Sequence, residues 1–151
     1  MDTKDLINAL NDLIETCKDG EYGFSSSAEH LRNAEVRELF MRRADGCHTA
    51  AAELRTQVQA LGGDAEDSGT VVGAAHRGWV AVKGKLAGYS DKSILEETER
   101  GEDSAMNRYR RVLQMDLPQD VRGIVERQFL GVQRNHEQVR SLRDHARAAE
   151  R

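Results

Sequence analysis

Residues 65–91, "AEDSGTVVGAAHRGWVAVKGKLAGYSD", separate the two halves of the chain and decide how those halves connect. Five glycines interrupt the segment, and it is too long to be a tight turn between two helices. A short helix is expected around residues 71–86, with Trp79 anchoring the segment to the rest of the protein. The segment is therefore predicted to be a long crossover connection.

Two amphipathic helices are predicted before the crossover. Apolar residues recur from Leu6 onwards in alternating steps of about three and four, which is the spacing of one helix face. The first helix is capped by Asp2 or Thr3 and ends near Asn33. The second ends at "GGD", where Gly62 can take the left-handed closing conformation. Because few residues separate these two helices, they must be antiparallel neighbours.

Two further helices are predicted after the crossover. The third begins at about Ser90 or Asp91, and "LPQD" then breaks the chain, with Pro118 suited to the first turn of the fourth helix. Two antiparallel hairpins joined by a long crossover form a ferritin-like four-helix bundle rather than a plain up-and-down bundle. The predicted fold is therefore all-α, with residues 1–151 as a single domain.

The composition agrees with long helices and excludes several classes of protein. Charged residues make up 32% of the chain and aromatic residues 5%, a profile typical of helical proteins. The net charge of −4, with Lys and Arg spread along the chain, provides no basic patch for nucleic acid. No apolar run approaches the roughly 20 residues of a membrane span, and the amino terminus lacks a signal-peptide layout, so a cytosolic protein without membrane contact is expected.

Polar side chains are expected inside the bundle at about its middle. Projecting each helix at about 100° per residue places five of them on or beside the apolar lines. This predicted buried polar layer comprises Glu21, Arg43, Glu102, Gln128 and His136. Near the same level lie the helix glycines Gly20, Gly23, Gly46, Gly101 and Gly131. Each costs about 1 kcal/mol relative to alanine, so they indicate close approach of the helices or room for larger neighbours.

Two interpretations of this layer remain open. A di-metal bundle needs about four carboxylates and two imidazoles, whereas only Glu21, Glu102 and His136 point inward here. An iron, manganese or zinc site made by these residues would be incomplete. In the other interpretation, Arg43 holds Glu21 or Glu102 through paired N–H donors, and the network fixes the register of the helices. The network is the favoured interpretation.

Two short motifs have the spacing of the missing ligand pairs. "DGCH" contains Asp45 and His48, and "QRNH" contains Gln133 and His136. Asp45 projects away from the core and His48 lies about 100° off the core line, so neither is expected to point at Glu21. Gln133 also lies off the core line, and its amide is a poor substitute for a bridging carboxylate. The two free thiols, Cys17 and Cys47, are too few for a disulfide framework and are expected to be buried.

The sequence resembles a bacterial ferritin-like family of four-helix-bundle proteins of unknown function. The resemblance covers most of the chain, through "LNDLIETCKDGEYGF", "AAHRGWVAVKG", "ERGEDSAMNRY" and "VERQFLGVQRNHEQVRSLRD". It matches five residues to the family's recurring segments: Glu21, Trp79, Glu102, Tyr109 and His136. It implies the bundle and the crossover, an association with stress responses, and no agreed activity. Ferritin-like relatives commonly bind two metal ions through two Glu-x-x-His pairs, and this sequence departs from both pairs.

The function expected from the sequence is that of a non-enzymatic, cytosolic bundle. Such a protein acts through its surface or as a homo-oligomer, for which a dimer is expected, and its protein partner is not identified by any motif. The alternative is a metal-binding or redox protein with an incomplete di-metal site.

Overall fold

The computed structural model describes residues 1–65 and 90–149. These ranges contain four helices and no strand: α1 (Thr3–Ala28), α2 (Ala34–Ala60), α3 (Asp91–Leu113) and α4 (Gln119–Ala149). The prediction of an all-α chain is thus confirmed. None of these helices has the combination of length and apolar character that crossing a membrane requires. The expected crossover helix, with Trp79, lies outside the described residues.

Local sequence signals set the amino-terminal ends of α1 and α3. Asp2 caps α1, because its side chain accepts a hydrogen bond from the Asp5 backbone N–H at 2.8 Å. Ser90 caps α3 in the same way, accepting from the Ser93 backbone N–H at 3.2 Å. A short oxygen-bearing side chain satisfies an N–H group that has no partner within the helix. Both caps are among those expected from the sequence.

The turn between α1 and α2 comes earlier than the sequence pattern suggests. α1 ends at Ala28, because Asn33 belongs to the next helix and caps α2 by accepting from the Val36 backbone N–H at 3.1 Å. At the other end of α2, Gly62 has a φ of +81°, which confirms the expected left-handed closing residue. Pro118 lies directly before α4.

Contacts between α1 and α3 show that these helices run antiparallel. Cys17 lies beside Tyr109, whereas the Arg32 backbone N–H donates to Asp91 at the start of α3. As residue numbers increase along α1, the residues that it meets on α3 therefore have decreasing numbers. Since α2 is also antiparallel to α1, α2 and α3 run parallel to each other.

The second hairpin begins at the end of the bundle opposite to the one where the first hairpin finishes. α2 ends beside the start of α1, where Gly63 lies against Ile7. α3 begins beside the end of α1, at Asp91. The end of α2 and the start of α3 therefore lie at opposite ends of the bundle, as in the ferritin-like arrangement of helices.

The apolar core is divided into two clusters along the bundle axis. One cluster includes Leu10, Leu54 and Val125. The other includes Phe24 and Phe40, whose rings meet edge to face with centroids 5.2 Å apart. We call the middle of the bundle, where the two clusters adjoin, the waist: residues 17–23, 43–53, 97–109 and 126–138. The polar residues singled out in the sequence lie at this level.

Gly20 is a waist glycine that its surroundings require. A Cβ atom at this position would lie 2.9 Å from Cys47 Sγ, whereas a Cβ at Gly23 or Gly46 would meet nothing within 4 Å. The missing side chain at position 20 therefore lets Cys47 pack against α1. Close approach of the helices explains Gly20 but does not explain Gly23 or Gly46.

We expect Gly20→Ala to lower the free energy of unfolding by about 1–3 kcal/mol through overpacking. The higher helix propensity of alanine offsets up to about 1 kcal/mol of this loss. Gly23→Ala and Gly46→Ala are matched controls and should raise it by about 0.5–1 kcal/mol. Urea denaturation of the three variants measures these differences. Cys47→Ala should restore the stability of the Gly20→Ala variant. An increase in stability for Gly20→Ala alone would contradict the close contact.

Candidate functional site

A chain of hydrogen bonds crosses the waist and includes a residue from every helix. The Tyr109 hydroxyl on α3 donates to Gln128 Oε1 on α4 at 2.8 Å and lies 3.3 Å from Cys17 Sγ on α1. Gln128 Nε2 donates to Glu53 Oε1 at 2.8 Å and to the Ala50 carbonyl at 3.3 Å, both on α2. We call these five residues the Tyr109 chain. Because all four helices contribute, the chain holds them in one register.

The Tyr109 chain runs from the interior to the surface. Cys17 and Tyr109 are buried, and burial raises the pKa of the Cys17 thiol to about 11 and that of the Tyr109 hydroxyl well above its usual value. At the outer end, Glu53 accepts from Arg127 at 2.5 Å. Burial raises the pKa of Glu53, but hydrogen bonds from Arg127 and Gln128 outweigh it and hold that pKa below its usual value. The inner groups therefore keep their protons while Glu53 stays charged.

Of the Tyr109 chain, the sequence predicted only Gln128 as a buried polar residue. The helix pattern places Tyr109 and Cys17 on apolar lines and gives no signal for Glu53. One signal was available, since a buried tyrosine hydroxyl usually finds a hydrogen-bond partner. Tyr109 shares a helix line with Glu102, which would have placed its hydroxyl near the predicted layer.

Glu102 and Arg43 form a second polar group of the waist. Glu102 is 6% exposed. Within the described ranges, Glu102 Oε1 and Arg43 Nε are buried without a hydrogen-bond partner. Arg43 instead donates through Nη2 to Gln138 on α4. The two residues are electrostatic neighbours, but the paired N–H donors expected from the sequence do not join them.

The charges of this pair are set mainly by burial. Burial raises the pKa of Glu102 to about 8, although the nearby Arg43 charge opposes the shift and Asp103 and Glu99 add to it. Burial also lowers the pKa of Arg43. A carboxyl group with such a pKa is largely protonated at neutral pH, so Glu102 acts there as a neutral acid.

Glu21 does not join Glu102 in the interior. Its side chain is 34% exposed, and its carboxylate oxygens lie 3.1 and 3.2 Å from His48 Nδ1 on α2. The expectation that His48 points away from Glu21 is therefore wrong. Neither side chain points toward the centre of the bundle, but both are long enough to meet at the edge of the contact between α1 and α2. Asp45 is exposed and takes no part in this pair.

His136 faces α3 rather than the centre of the bundle. Its Nε2 atom lies 2.5 Å from Asp103 Oδ1, and the Asp103 side chain is 58% exposed. Since Asp103 follows Glu102 in the helix, its carboxylate points about 100° away from that of Glu102. His136 therefore pairs with Asp103 and not with Glu102, the residue beside which the sequence predicts it.

Both cysteines carry free thiols, with Cys17 buried and Cys47 partly buried. Burial raises the pKa of Cys47, and the neighbouring Cys17 and Glu102 groups raise it further. A thiol must lose its proton to act as a nucleophile or a metal ligand. Both thiols therefore stay protonated at neutral pH.

The waist does not fit a di-metal centre of the ferritin-like kind. Such a centre needs carboxylates and imidazoles that converge on one point, whereas Glu21 and His136 pair with partners on different sides of the bundle. Among residues 1–65 and 90–149, no three His, Cys, Asp or Glu side chains are placed to hold a metal ion. Glu21, Glu102 and His136 are therefore not grouped as the ligands of one metal ion among these residues.

Comparison with known proteins places the chain in a family. A search of curated proteins finds no match. A solved structure of a dodecameric thioferritin, the bacterioferritin-related protein of Bacteroides fragilis, matches with a TM-score of 0.77 at 18% identity, over 99% of this chain and 91% of that one. At this identity the likeness shows the fold alone. A family model described as a domain of unknown function, DUF2383, matches residues 5–115. This chain therefore belongs to the DUF2383 family and has the fold of a ferritin-like four-helix bundle.

Proposed function

We propose that this protein is a non-enzymatic ferritin-like bundle that acts as a homo-oligomer through its outer surface. The observation that carries the proposal is the Tyr109 chain. At the middle of the bundle, this chain joins its four helices through a thiol, a hydroxyl, an amide and a carboxylate. The thiol and the hydroxyl keep their protons at neutral pH because burial raises their pKa. These groups suit a structural role.

Two observations support self-association. Large apolar side chains are exposed on three helices, namely Tyr22 at 52%, Met41 at 48% and Leu130 at 55%. Such side chains gain from burial against another surface. The thioferritin that shares the fold is dodecameric.

The alternative is a protein that binds iron, manganese or zinc. The observation in its favour is Glu102 Oε1, a buried carboxyl oxygen without a partner in the described part of the chain. Glu21 and His136 would have to turn toward Glu102 to complete the site. This alternative stays a prediction, as does the cytosolic location.

Light scattering and thermal melts of the full-length protein test the proposal. We expect a mass above that of the monomer, and a melting temperature that shifts by less than about 1 °C when EDTA or Fe²⁺, Mn²⁺ or Zn²⁺ is added. A metal ion at 100 times its dissociation constant would stabilise the folded state by about 2.7 kcal/mol, which raises the melting temperature by several degrees.

Two results would contradict the proposal. A monomer at every concentration tested would exclude the homo-oligomer. A metal-induced rise in melting temperature that Glu102→Gln abolishes, and that Glu53→Gln leaves in place, would instead favour the metal-binding alternative.

A further inference from the structure

A stripe of mostly polar side chains follows the outer face of α4 along a shallow groove. Its members recur at steps of three and four residues, so they lie on one side of the helix. We call this stripe the α4 face: Leu130, Gln133, Arg134, Glu137, Gln138 and Ser141. Gln133 is partly buried and the others are exposed. Leu130, at 55%, is the most exposed large apolar side chain in the described ranges.

The two charged residues of the α4 face are Arg134 and Glu137. Within residues 1–65 and 90–149, neither Arg134 nor Glu137 takes part in a salt bridge. Arg134 lies close to another cation, Arg43, whose lowered pKa comes first from burial and in part from this neighbour. A cation beside a like charge gains from an added anion. Arg134 is therefore suited to a carboxylate from outside the chain.

The α4 face is complementary to itself when one copy is turned end to end. We consider two α4 helices that pack antiparallel about a twofold axis between positions 135 and 136. Arg134 of each copy then faces Glu137 of the other, so that two ion pairs form. Gln133 faces Gln138, whose Oε1 atom already accepts from Arg43 in its own chain, and whose amide N–H can donate to Gln133 Oε1 of the other copy. Leu130 faces Ser141, whose small side chain leaves room for it.

The match continues toward both ends of α4 in the same register. Arg127 lies opposite Asp144, and Glu126 lies opposite His145, so each of these exposed pairs combines an acidic with a basic group. Arg127 and Asp144 also form ion pairs within their own chain. They therefore add less to the association than Arg134 and Glu137.

Neighbouring registers lack this complementarity. A shift of the axis to position 134 brings the two copies of Arg134 together, and a shift to position 137 brings the two copies of Glu137 together. Like charges in contact oppose association. The charge pattern thus selects one antiparallel register, as an isologous interface requires.

We propose that the α4 face is a homodimer interface, in which α4 of a second copy packs antiparallel across it with twofold symmetry. The proposal rests on the proposed function as a homo-oligomer and names the surface that forms it. Positive and negative charges alternate along the face. Nucleic acid and anionic membranes instead bind surfaces that are positively charged throughout. Since the contact is narrow and mostly polar, the dimer is weak and dissociates further as salt is added.

Sedimentation equilibrium of the full chain tests the ion pairs. Arg134→Glu places two carboxylates against each other twice in every dimer and should raise the dissociation constant at least about tenfold. Arg134→Glu combined with Glu137→Arg exchanges the two charges and should restore the constant to within about threefold. Lys4→Glu changes the net charge equally at an exposed position in the first turn of α1, outside the α4 face, and should leave the constant unchanged.

Engineered disulfides test the register. Leu130→Cys with Ser141→Cys should yield a covalent dimer on mild oxidation. The two positions are about 16 Å apart along one helix, which excludes a disulfide within one chain. Leu130→Cys with Gln138→Cys, off register by three residues, is the control and should stay monomeric on non-reducing gels.

The possible failures can be told apart. If the wild-type protein self-associates, but Arg134→Glu matches it and no disulfide forms between positions 130 and 141, the α4 face is not the interface and the proposed function stands. If the wild-type protein is a monomer at every concentration, both proposals are overturned.

Discussion

Tyr109→Ala is expected to lower the free energy of unfolding by about 3–5 kcal/mol, the range for removing a large buried aromatic side chain. The residue is 1% exposed, and its ring stacks on that of Phe129 with centroids 6.4 Å apart. Its hydroxyl joins Cys17 to Gln128. The substitution therefore removes both a part of the apolar core and the central link of the hydrogen-bond chain.

Tyr109→Phe separates these two contributions. The ring stays in place, but Gln128 Oε1 loses its hydrogen-bond donor, and a buried acceptor without a partner costs about 1–3 kcal/mol. A double-mutant cycle with Gln128→Leu should show that the second substitution costs less once the first is made. Thr56→Ala, which removes an exposed hydroxyl bonded within its own helix, should change stability by less than about 0.5 kcal/mol. Urea denaturation measures all four variants, and a Tyr109→Phe protein as stable as the wild type would exclude a structural role for the chain.

Stability should fall as the pH rises through the neutral range, and Glu102 should be the cause. Burial raises the pKa of this carboxyl from its usual 4.5 to about 8 in the folded protein. Between these two values the folded state holds a proton that the unfolded state has released, so a rise in pH favours unfolding. The difference between the two pKa values corresponds to a loss on the order of 5 kcal/mol between pH 4 and pH 9.

Glu102→Gln isolates this effect because glutamine keeps the shape but does not titrate. The variant should match the wild type at pH 5 to within about 1 kcal/mol and exceed its stability by several kcal/mol at pH 9. Glu21→Gln is the matched control, since Glu21 is partly exposed and paired with His48, and should change stability by less than about 1 kcal/mol at either pH. Urea denaturation at pH 5, 7 and 9 gives the three curves. A constant difference between wild type and Glu102→Gln at all three pH values would show that Glu102 does not titrate in this range.

The middle of the bundle shows where prediction from the sequence reaches its limit. Helix projection placed Glu102 and Gln128 inside, and both are buried. It also placed Glu21 inside and turned His48 away from it, whereas the two pair at the edge of the bundle. Projection gives the direction of a Cβ atom, but a glutamate or histidine side chain extends several ångströms sideways from it. The partners of long side chains therefore depend on which neighbours lie within reach.

The sequence by itself determined the features that arise from a few adjacent residues or from a regular spacing. The caps at Asp2 and Ser90, the closing residue Gly62 and the four amphipathic helices are all of this kind. Their physical causes, namely unpaired N–H groups, a positive φ and the period of a helix, act within about one turn of the chain or repeat along it.

Only the tertiary structure decided which polar groups meet across the waist. The contact of Cys17 with Tyr109 joins residues 92 positions apart, and that of Gln128 with Glu53 joins residues 75 positions apart. Each contact depends on the relative rotation and depth of two helices, and a shift of one residue moves a side chain by about 1.5 Å along the axis and 100° around it. A hydrogen bond tolerates only a few tenths of an ångström. Those rotations follow from the packing of the whole core, including the space that Gly20 leaves for Cys47.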